Sequence, residues 1–388
     1  DADAIDLLDT AIAKETVEAV KLALQEARAA AVLNSPRDMA EKQAAVALMA
    51  DRGNQSALAV LLNARGSAEG PLLADIDTAI AAIQKSLAVW DLAQNAWYGV
   101  SLGSVLLLAA IGLAITFGVM GVINMAHGEM VMLGAYTTFI VQDIIRTSMP
   151  GLFDYSLLIA LPLAFLVAGS VGVVIERGVI RWLYGRPLET LLATWGIALL
   201  LQQTVRSIFG PTNREVGTPD FLAGAFQLGQ LTITYNRLAI VIFSLVVLAV
   251  LMLVLRKTSF GLRMRAVTQN RRMANSMGIK TNWVDAMTFG LGSGIAGIAG
   301  VALSQIDNVS PNLGQSYIID SFLVVVFGGV GNLWGTLVGA MTLGIANKFL
   351  EPFAGAVLGK IILLVCIILF IQKRPRGMFA LKGRAVES

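Results

Sequence analysis

Between Tyr98 and Gln372 the chain returns repeatedly to apolar runs of about 20 residues, the length a helix needs to cross the hydrocarbon core of a bilayer. The runs are 98–119, 128–146, 157–175, 188–208, 236–255, 284–305, 333–349 and 356–372. In lipid each backbone N–H and C=O must find its partner within the chain, so such runs can only be helices or strands of a closed barrel, and their length selects helices. A further run, 318–329, is too short to span alone and is broken at Gly328-Gly329, as a half-helix leading into the next span would be. The sequence therefore predicts an all-α fold, a polytopic membrane helix bundle of eight or nine spans. Composition agrees: 56% of residues are hydrophobic and 14% charged, against about 25% charged in soluble domains.

Residues 1–95 differ in character. The first 90 residues carry 13 acidic and 8 basic side chains, and the remainder 13 and 21. Helical spacing recurs at Val17, Val20, Leu22 and Leu24, at Met39, Ala44, Val46 and Leu48, and at Leu58, Val60, Leu61 and Leu62, as in soluble helices. Asn34-Ser35-Pro36 is expected to open one helix, Gly53-Asn54 to stop it, and Gly66 to Pro71 to break the next. The pattern resembles an irregular helical-repeat module, with a plain helical bundle as the alternative. The expected domains are a soluble helical domain over 1–95, a transmembrane domain over 96–375 and a tail over 376–388. Asp1 at the start fits a mature chain after loss of a secretory leader, or equally a trimmed one. Cys366 is the single cysteine, so no internal disulfide forms.

Lys and Arg cluster in short loops, and this bias sets orientation. Loop 256–282 carries Arg256, Lys257, Arg263, Arg265, Arg271, Arg272 and Lys280; loop 176–187 carries Arg177, Arg181 and Arg186; the tail carries Lys373, Arg374, Arg376, Lys382 and Arg384. All three are expected in the cytoplasm, which places residues 1–95 in a bacterial periplasm. The same bias accounts for the pI of about 9.0 without nucleic acid as a partner. Trp97 with Tyr98, Trp182 with Tyr184, and Trp283 fall at span ends, where interfacial aromatics belong. One conflict remains. Loop 306–320 lies outside and the tail inside, which needs one or three crossings between them. Either 318–329 crosses, or 333–349 is re-entrant.

Two apolar segments are interrupted. Gly118-Val-Met-Gly-Val-Ile-Asn-Met-Ala-His-Gly-Glu129 sets Asn124, His127 and Glu129 among glycines, and Phe327-Gly-Gly-Val-Gly-Asn-Leu-Trp-Gly335 includes Asn332. Broken spans in the two halves of a chain point to a solute path; the plain alternative is two tight turns between hairpin helices. His127, the sole histidine, lacks partners for a metal and is expected to make a turn-stabilising hydrogen bond. Within the spans, Thr190, Thr194, Gln202, Gln203 and Ser293 could face a path for a small neutral polar solute or bond neighbouring helices. The basic loop 258–282 contains a short helix expected to be capped by Asn270 and stopped by Gly278. Met273, Ala274 and Met277 are expected on one adaptable face suited to a partner's groove. Gly290, Gly294, Gly297 and Gly300, and Gly331, Gly335 and Gly339, have the spacing of close helix packing. Gly292 to Gly297 satisfies G-x-G-x-x-G but lies in a span and follows no strand. Gly355 to Lys360 is one residue short of a phosphate loop and has Ile361 where Ser or Thr is needed.

Gly121-Val-Ile-Asn-Met-Ala-His-Gly-Glu129 with Gly134-Ala-Tyr136, the Arg263 to Ile279 loop, and Phe327 to Thr336 together resemble the branched-chain amino acid type permeases of bacterial ABC importers, over residues 98–375. The extension before the first span resembles the urea permease branch. The resemblance implies a transport subunit, not an enzyme, in a bacterial inner membrane, passing a small polar solute, urea first and branched-chain or other amino acids as the alternative. It implies a second, homologous but non-identical permease, two cytoplasmic ABC ATPases holding ATP and Mg, a periplasmic solute-binding protein, and no cofactor on this chain. Asn124, His127, Glu129, Thr194, Gln202, Gln203, Ser293 and Asn332 would then line the path. The coupling helix would be Asn270, Arg271, Met273, Ala274, Met277 and Gly278. Gln269-Asn270 stands where the classical importer loop begins with Glu. A stand-alone channel or secondary carrier is the rival, but such carriers hold ionisable residues in their spans, and Glu129, Glu176 and Asp285 all fall near span ends. A receptor with residues 1–95 as sensor is a second rival, weakened by the short tail.

Overall fold

A computed structural model describes residues 2–379, so Lys382 and Arg384 lie outside the described residues. The chain divides into two compact units. One holds the described residues through Gln94 together with Gln227–Leu231; the other holds Asn95–Phe226 and the residues from Thr232 onward.

The first unit is built from helices α1 (Ala2–Lys14), α2 (Glu18–Leu33), α3 (Met39–Arg52) and α4 (Gln55–Arg65), with the beginning of α5 (Pro71–Met120). Its core is Ile5, Val32, Met49, Leu61, Ile76 and Ile83. The inward stripes are displaced from those expected: Val17, Val20, Met39 and Leu62 are exposed, whereas Ala45, Val46 and Met49 of α3 are buried. The start of α3 is also corrected. Pro36 precedes the helix, and Asp38 is the cap, its carboxylate accepting from the Met39 N–H at 2.8 Å. Gly53 ends α3 at φ 57°, and Asn54 caps α4 by accepting from the Ala57 N–H at 2.7 Å.

The second unit contains the rest of α5, then α6 (His127–Ser148), α7 (Ser156–Gly178), α8 (Pro187–Phe209), α9 (Tyr235–Lys257), α10 (Ser259–Gln269), α11 (Arg271–Ser276), α12 (Thr281–Leu303), α13 (Leu313–Gly328) and α14 (Leu333–Lys373). The only strands among the described residues form one hairpin, β1 (Ala225–Leu228) with β2 (Leu231–Thr234). Five of the helical segments are long and apolar enough to cross a membrane. α6 and α8 have the length, at 22 and 23 residues, but carry charged and amide side chains.

The helices run between two ends, one bearing the Lys/Arg-rich loops and one opposite. The disputed crossing is settled by contacts. Gly328 packs on Gly335 and Gly339 on Val324, so α13 and the first limb of α14 are antiparallel. Gly355, at φ 76° and ψ 165°, then turns α14 back on itself. In the second limb Lys360 meets Asp320 at 3.0 Å and Phe370 meets Phe327 at 4.9 Å between ring centroids, so this limb runs parallel to α13. Thus α13 runs from one end of the bundle to the other, in 16 residues or ~24 Å, and the limb over 333–349 runs back. Among the described residues the bundle has nine helical limbs: the second half of α5, α6, α7, α8, α9, α12, α13 and both limbs of α14. The tail returns to the basic end, where the Met378 N–H donates to Phe327 O at 2.9 Å and the Phe379 N–H to Gly328 O at 3.1 Å.

Burial sorts the helices. The apolar windows of α5 and α12 are each 83% buried, those of α9 and α14 only 22% and 11%. Lipid is as apolar as leucine, so helices associate by close contact at small residues. A Cβ on Gly134 would lie 2.0 Å from Gly297 O, one on Gly300 2.0 Å from Val131 O, and one on Gly112 2.3 Å from Gly292 O. α12 is the element against which α5, α6 and α7 close. Gly134→Val should therefore cost at least the ~1–3 kcal/mol of an overpacked core and lower the thermal midpoint in detergent. Gly196→Val, with no atom within 4 Å of its added Cβ, should leave the midpoint within error.

Candidate functional site

The first interrupted segment leaves the helix at Met120, with Gly121 at φ 70°. It does not turn at the bundle's end. The His127 ring returns to Ala109, its Nε2–H donating to Ala109 O at 2.9 Å. Ala109 lies ~16 Å back along α5 from Met120 at 1.5 Å per residue, so α6 starts inside the bundle. Unravelled backbone at that depth must be satisfied by protein or line a polar space. Two side chains supply part of this: Thr194 Oγ1 of α8 accepts from the Met125 N–H at 3.1 Å, and Asn124 Oδ1 accepts from the Ala126 N–H at 3.0 Å. Asn124 Nδ2, His127 Nδ1 and Glu129 Oε2 are buried without a protein partner. One amide donor, one imidazole nitrogen and one carboxyl oxygen are thus available to a polar occupant.

The second segment is different. Gly329 and Gly331, at φ 105° and 80°, make a tight turn between α13 and α14 at the basic end. Asn332 is the cap of α14, its Oδ1 accepting from the N–H groups of Trp334 and Gly335 at 3.0 and 3.2 Å, its Nδ2 donating to Phe379 O at 3.2 Å. The plain turn describes this segment. A cavity of about 730 Å³ opens beside it, between α5, α9 and α10, with Arg256, Arg265 and Gln269 on its wall. None of Asn124, His127 or Glu129 lines that cavity.

The remaining expected path residues disperse. The Gln202 amide donates to Asn312 Oδ1 at 2.7 Å, away from the first segment. Gln203 is exposed on the outer face of α8, a correction to its expected place in the interior. Ser293 is buried but faces α7, where a Cβ on Gly172 would lie 2.3 Å from its hydroxyl. Of the eight, the structure brings together Asn124, His127, Glu129 and Thr194.

At the basic end α11 is capped as its residues imply. Asn270 Oδ1 accepts from the Met273 N–H at 2.9 Å, and Gly278 follows the helix at φ 86°. Its expected face is corrected. Ala274 is 5% exposed and packs into the core, whereas Met273 and Met277 are 61% and 77% exposed. Arg271 turns inward: its guanidinium pairs with the fully buried Asp285 of α12 and lies 4.7 Å from the centroid of the Tyr184 ring. Tyr184 in turn donates to Glu176 Oε1 at 2.8 Å. Burial, reinforced by the negative charges of Asp285 and Glu176, pushes the Tyr184 hydroxyl well above the usual phenol range, so it stays a proton donor. No local pattern in the sequence announces this inward anchor, since Arg271 lies in the basic loop and Asp285 at a span end, 14 residues apart.

A family profile for branched-chain amino acid transport system permease components matches residues 95–371. The high-affinity branched-chain amino acid transport system permease protein BraD of Pseudomonas aeruginosa is 30% identical over 289 residues, covering 72% of this chain and 93% of that protein. LivH of Escherichia coli K12, of the same description, is 31% identical over 294 residues, 74% and 94% of the two chains. A probable branched-chain amino acid transport permease protein LivH of Methanocaldococcus jannaschii is 25% identical over 295 residues, 71% and 88%. No solved structure matches.

Breaking one side of a fully buried ion pair costs about 3–5 kcal/mol; here Asp285 is fully buried but the Arg271 side chain is 39% exposed, so the loss falls below that range while still leaving a buried carboxylate without its partner. Arg271→Met should accordingly lower the thermal midpoint sharply, while Arg271→Met combined with Asp285→Leu should recover most of the loss. A double-mutant cycle on unfolding midpoints measures this, and additive losses would rule out a direct coupling.

Proposed function

Since the chain belongs to the branched-chain amino acid transport permease family, we propose that it is one permease subunit of an ABC importer whose cargo is a branched-chain or related amino acid. The observation that carries the reading is α11. A short helix capped at both ends holds Arg271 inward against α12 and presents Met273 and Met277 outward. Methionine side chains are flexible and polarizable, which suits docking into a partner's groove. The partner on that side is a pair of ABC ATPases carrying ATP and Mg. A homologous, non-identical permease completes the path, and a periplasmic binding protein delivers solute at the opposite end. The chain is a multi-pass protein of a bacterial inner membrane, with the first unit periplasmic and the tail cytoplasmic.

The cargo reading departs from the first expectation. Urea was inferred from the extension before the first span, and that extension lies outside the matched residues 95–371. The membrane part is where solute passes, and the relatives that match it are described as amino acid permeases. Amino acids therefore replace urea as the favoured cargo.

Met277→Asp is expected to leave membrane insertion intact and to lower uptake by the assembled importer at least tenfold, with ATP hydrolysis no longer tied to solute. Unchanged uptake would remove α11 as the coupling element. Labelled leucine, and not labelled urea, should accumulate in vesicles holding the wild-type importer; accumulation of urea alone would restore the earlier cargo.

A further inference from the structure

The end of the bundle opposite the basic loops holds a polar cluster that none of the motifs announced. It is built where α5, α9, α13 and the segment after α12 converge. Asn236, in the first turn of α9, donates its Nδ2–H to the backbone oxygen of Gln305 at 2.6 Å. The other ends of these amides are unused: Asn236 Oδ1, Gln305 Oε1 and Gln305 Nε2 are all buried with no protein partner. A side-chain amide buried with both ends unsatisfied is a strong sign of a polar occupant, since stripping such groups of water without replacement is costly.

The neighbouring residue, Arg237, supplies a positive charge. Its guanidinium donates to Ser101 Oγ at 3.3 Å and lies 5.2 Å from the centroid of the Tyr98 ring. No carboxylate among the described residues lies within ion-pair distance of it. Across the cluster, Asp307 accepts from the Asn308 N–H at 2.8 Å and from the Tyr317 hydroxyl at 3.4 Å, again with no cation paired to it among the described residues. Arg237 follows Asn236 in α9 and Asp307 lies two residues past Gln305, so the guanidinium and the carboxylate stand on the two segments that the Asn236–Gln305 hydrogen bond joins. A guanidinium and a carboxylate thus share one cluster without neutralising each other, and free amide donors and acceptors lie in the same cluster. Arginine's planar fork matches a carboxylate, and a carboxylate with amide oxygens matches an ammonium.

We propose that Arg237, Asn236, Gln305 and Asp307 form a reception site for the zwitterionic head of a free α-amino acid, with the solute carboxylate on Arg237 and its ammonium toward Asp307 and the amide oxygens. The inference rests on the amino acid reading of the cargo and adds to it the place where cargo is first held. Urea, which is neutral, uses the amides but has no call on the unpaired Arg237 and Asp307.

The test uses the assembled importer in proteoliposomes with its loaded binding protein. Arg237→Gln is expected to lower initial leucine uptake at least tenfold while the complex remains assembled with an unchanged thermal midpoint. Arg237→Lys, which keeps the charge but loses the fork, should recover part of that loss, and Gln305→Leu should lower uptake several-fold. Wild-type uptake in both Arg237→Gln and Gln305→Leu overturns the site and leaves the amino acid reading standing. Equal loss in Arg237→Gln and Arg237→Lys, accompanied by a lowered midpoint, assigns Arg237 to packing against Tyr98 and also overturns it. A wild-type importer that accumulates urea and no leucine removes the amino acid reading itself, and the site falls with it.

Discussion

The structure depends on how closely helices approach α12. In water, burial of leucine would hold a bundle together; in lipid that force is absent, and contact between backbones must replace it. α12 meets this need with Gly290, Gly292, Gly294, Gly297 and Gly300, each placed where a Cβ would collide with a neighbour. Its 83% buried window makes it central, while α9 and the limbs of α14 turn Ile242, Val246, Val357 and Ile361 outward. The helices outside this centre are correspondingly richer in large apolar side chains, which cost nothing against lipid tails.

The position of α12 joins three places that are far apart in sequence. Its first turns carry Asp285, which holds Arg271 and through it α11. Its middle meets Gly112 of α5, and that same glycine lies beside the His127 ring at the first interruption. Its last turn leads directly to Gln305 and Asp307. A displacement of α11 is therefore a displacement of a rigid helix whose other contacts are the interrupted segment and the opposite end. The ion pair between Arg271 and the buried Asp285 ties α11 to α12. Such a pair adds little net stability against an apolar pair of the same volume, but separating it is expensive.

How much of this was legible in the sequence follows from what lipid demands. The spans could be read because about 20 apolar residues are obligatory for a crossing. The ambiguity fell where that rule loosens. α13 has only 16 residues, and although Lys348, Glu351 and Pro352 mark a break between the runs 333–349 and 356–372, they do not say that the chain reverses at Gly355. The first interruption was visible as glycines with Asn124, His127 and Glu129. Its return into the bundle was not, because the contact that directs it joins His127 to Ala109 on another helix. Gln202 and Gln203 are not separated by the sequence, since the residues before them, Ile197 to Leu201, are apolar without a break and offer no stripe from which to choose a face. Asn332 could have been recognised as a cap, standing just before an apolar helix. Arg271 with Asp285, and Asn236 with Gln305, join elements across the fold and leave no local pattern.

Alternating access needs two arrangements of one bundle and a partner that binds them unequally; a partner that binds both alike shifts nothing, however tight its grip. Under the proposed function, the partition of α11 meets that requirement. Met273 and Met277 face outward and leave the permease fold without losing a core contact, whereas Ala274 and Arg271 are committed inward. In that reading, affinity for a partner and connection to the bundle reside on opposite faces of the same short helix. A groove that closes on the methionines in only one of its own states then favours one position of α11, and the difference in its affinity is the free energy available to move α12. The glycine contacts bound that motion: helices touching backbone to backbone can slide or rotate as bodies, but they cannot bend toward each other without collision.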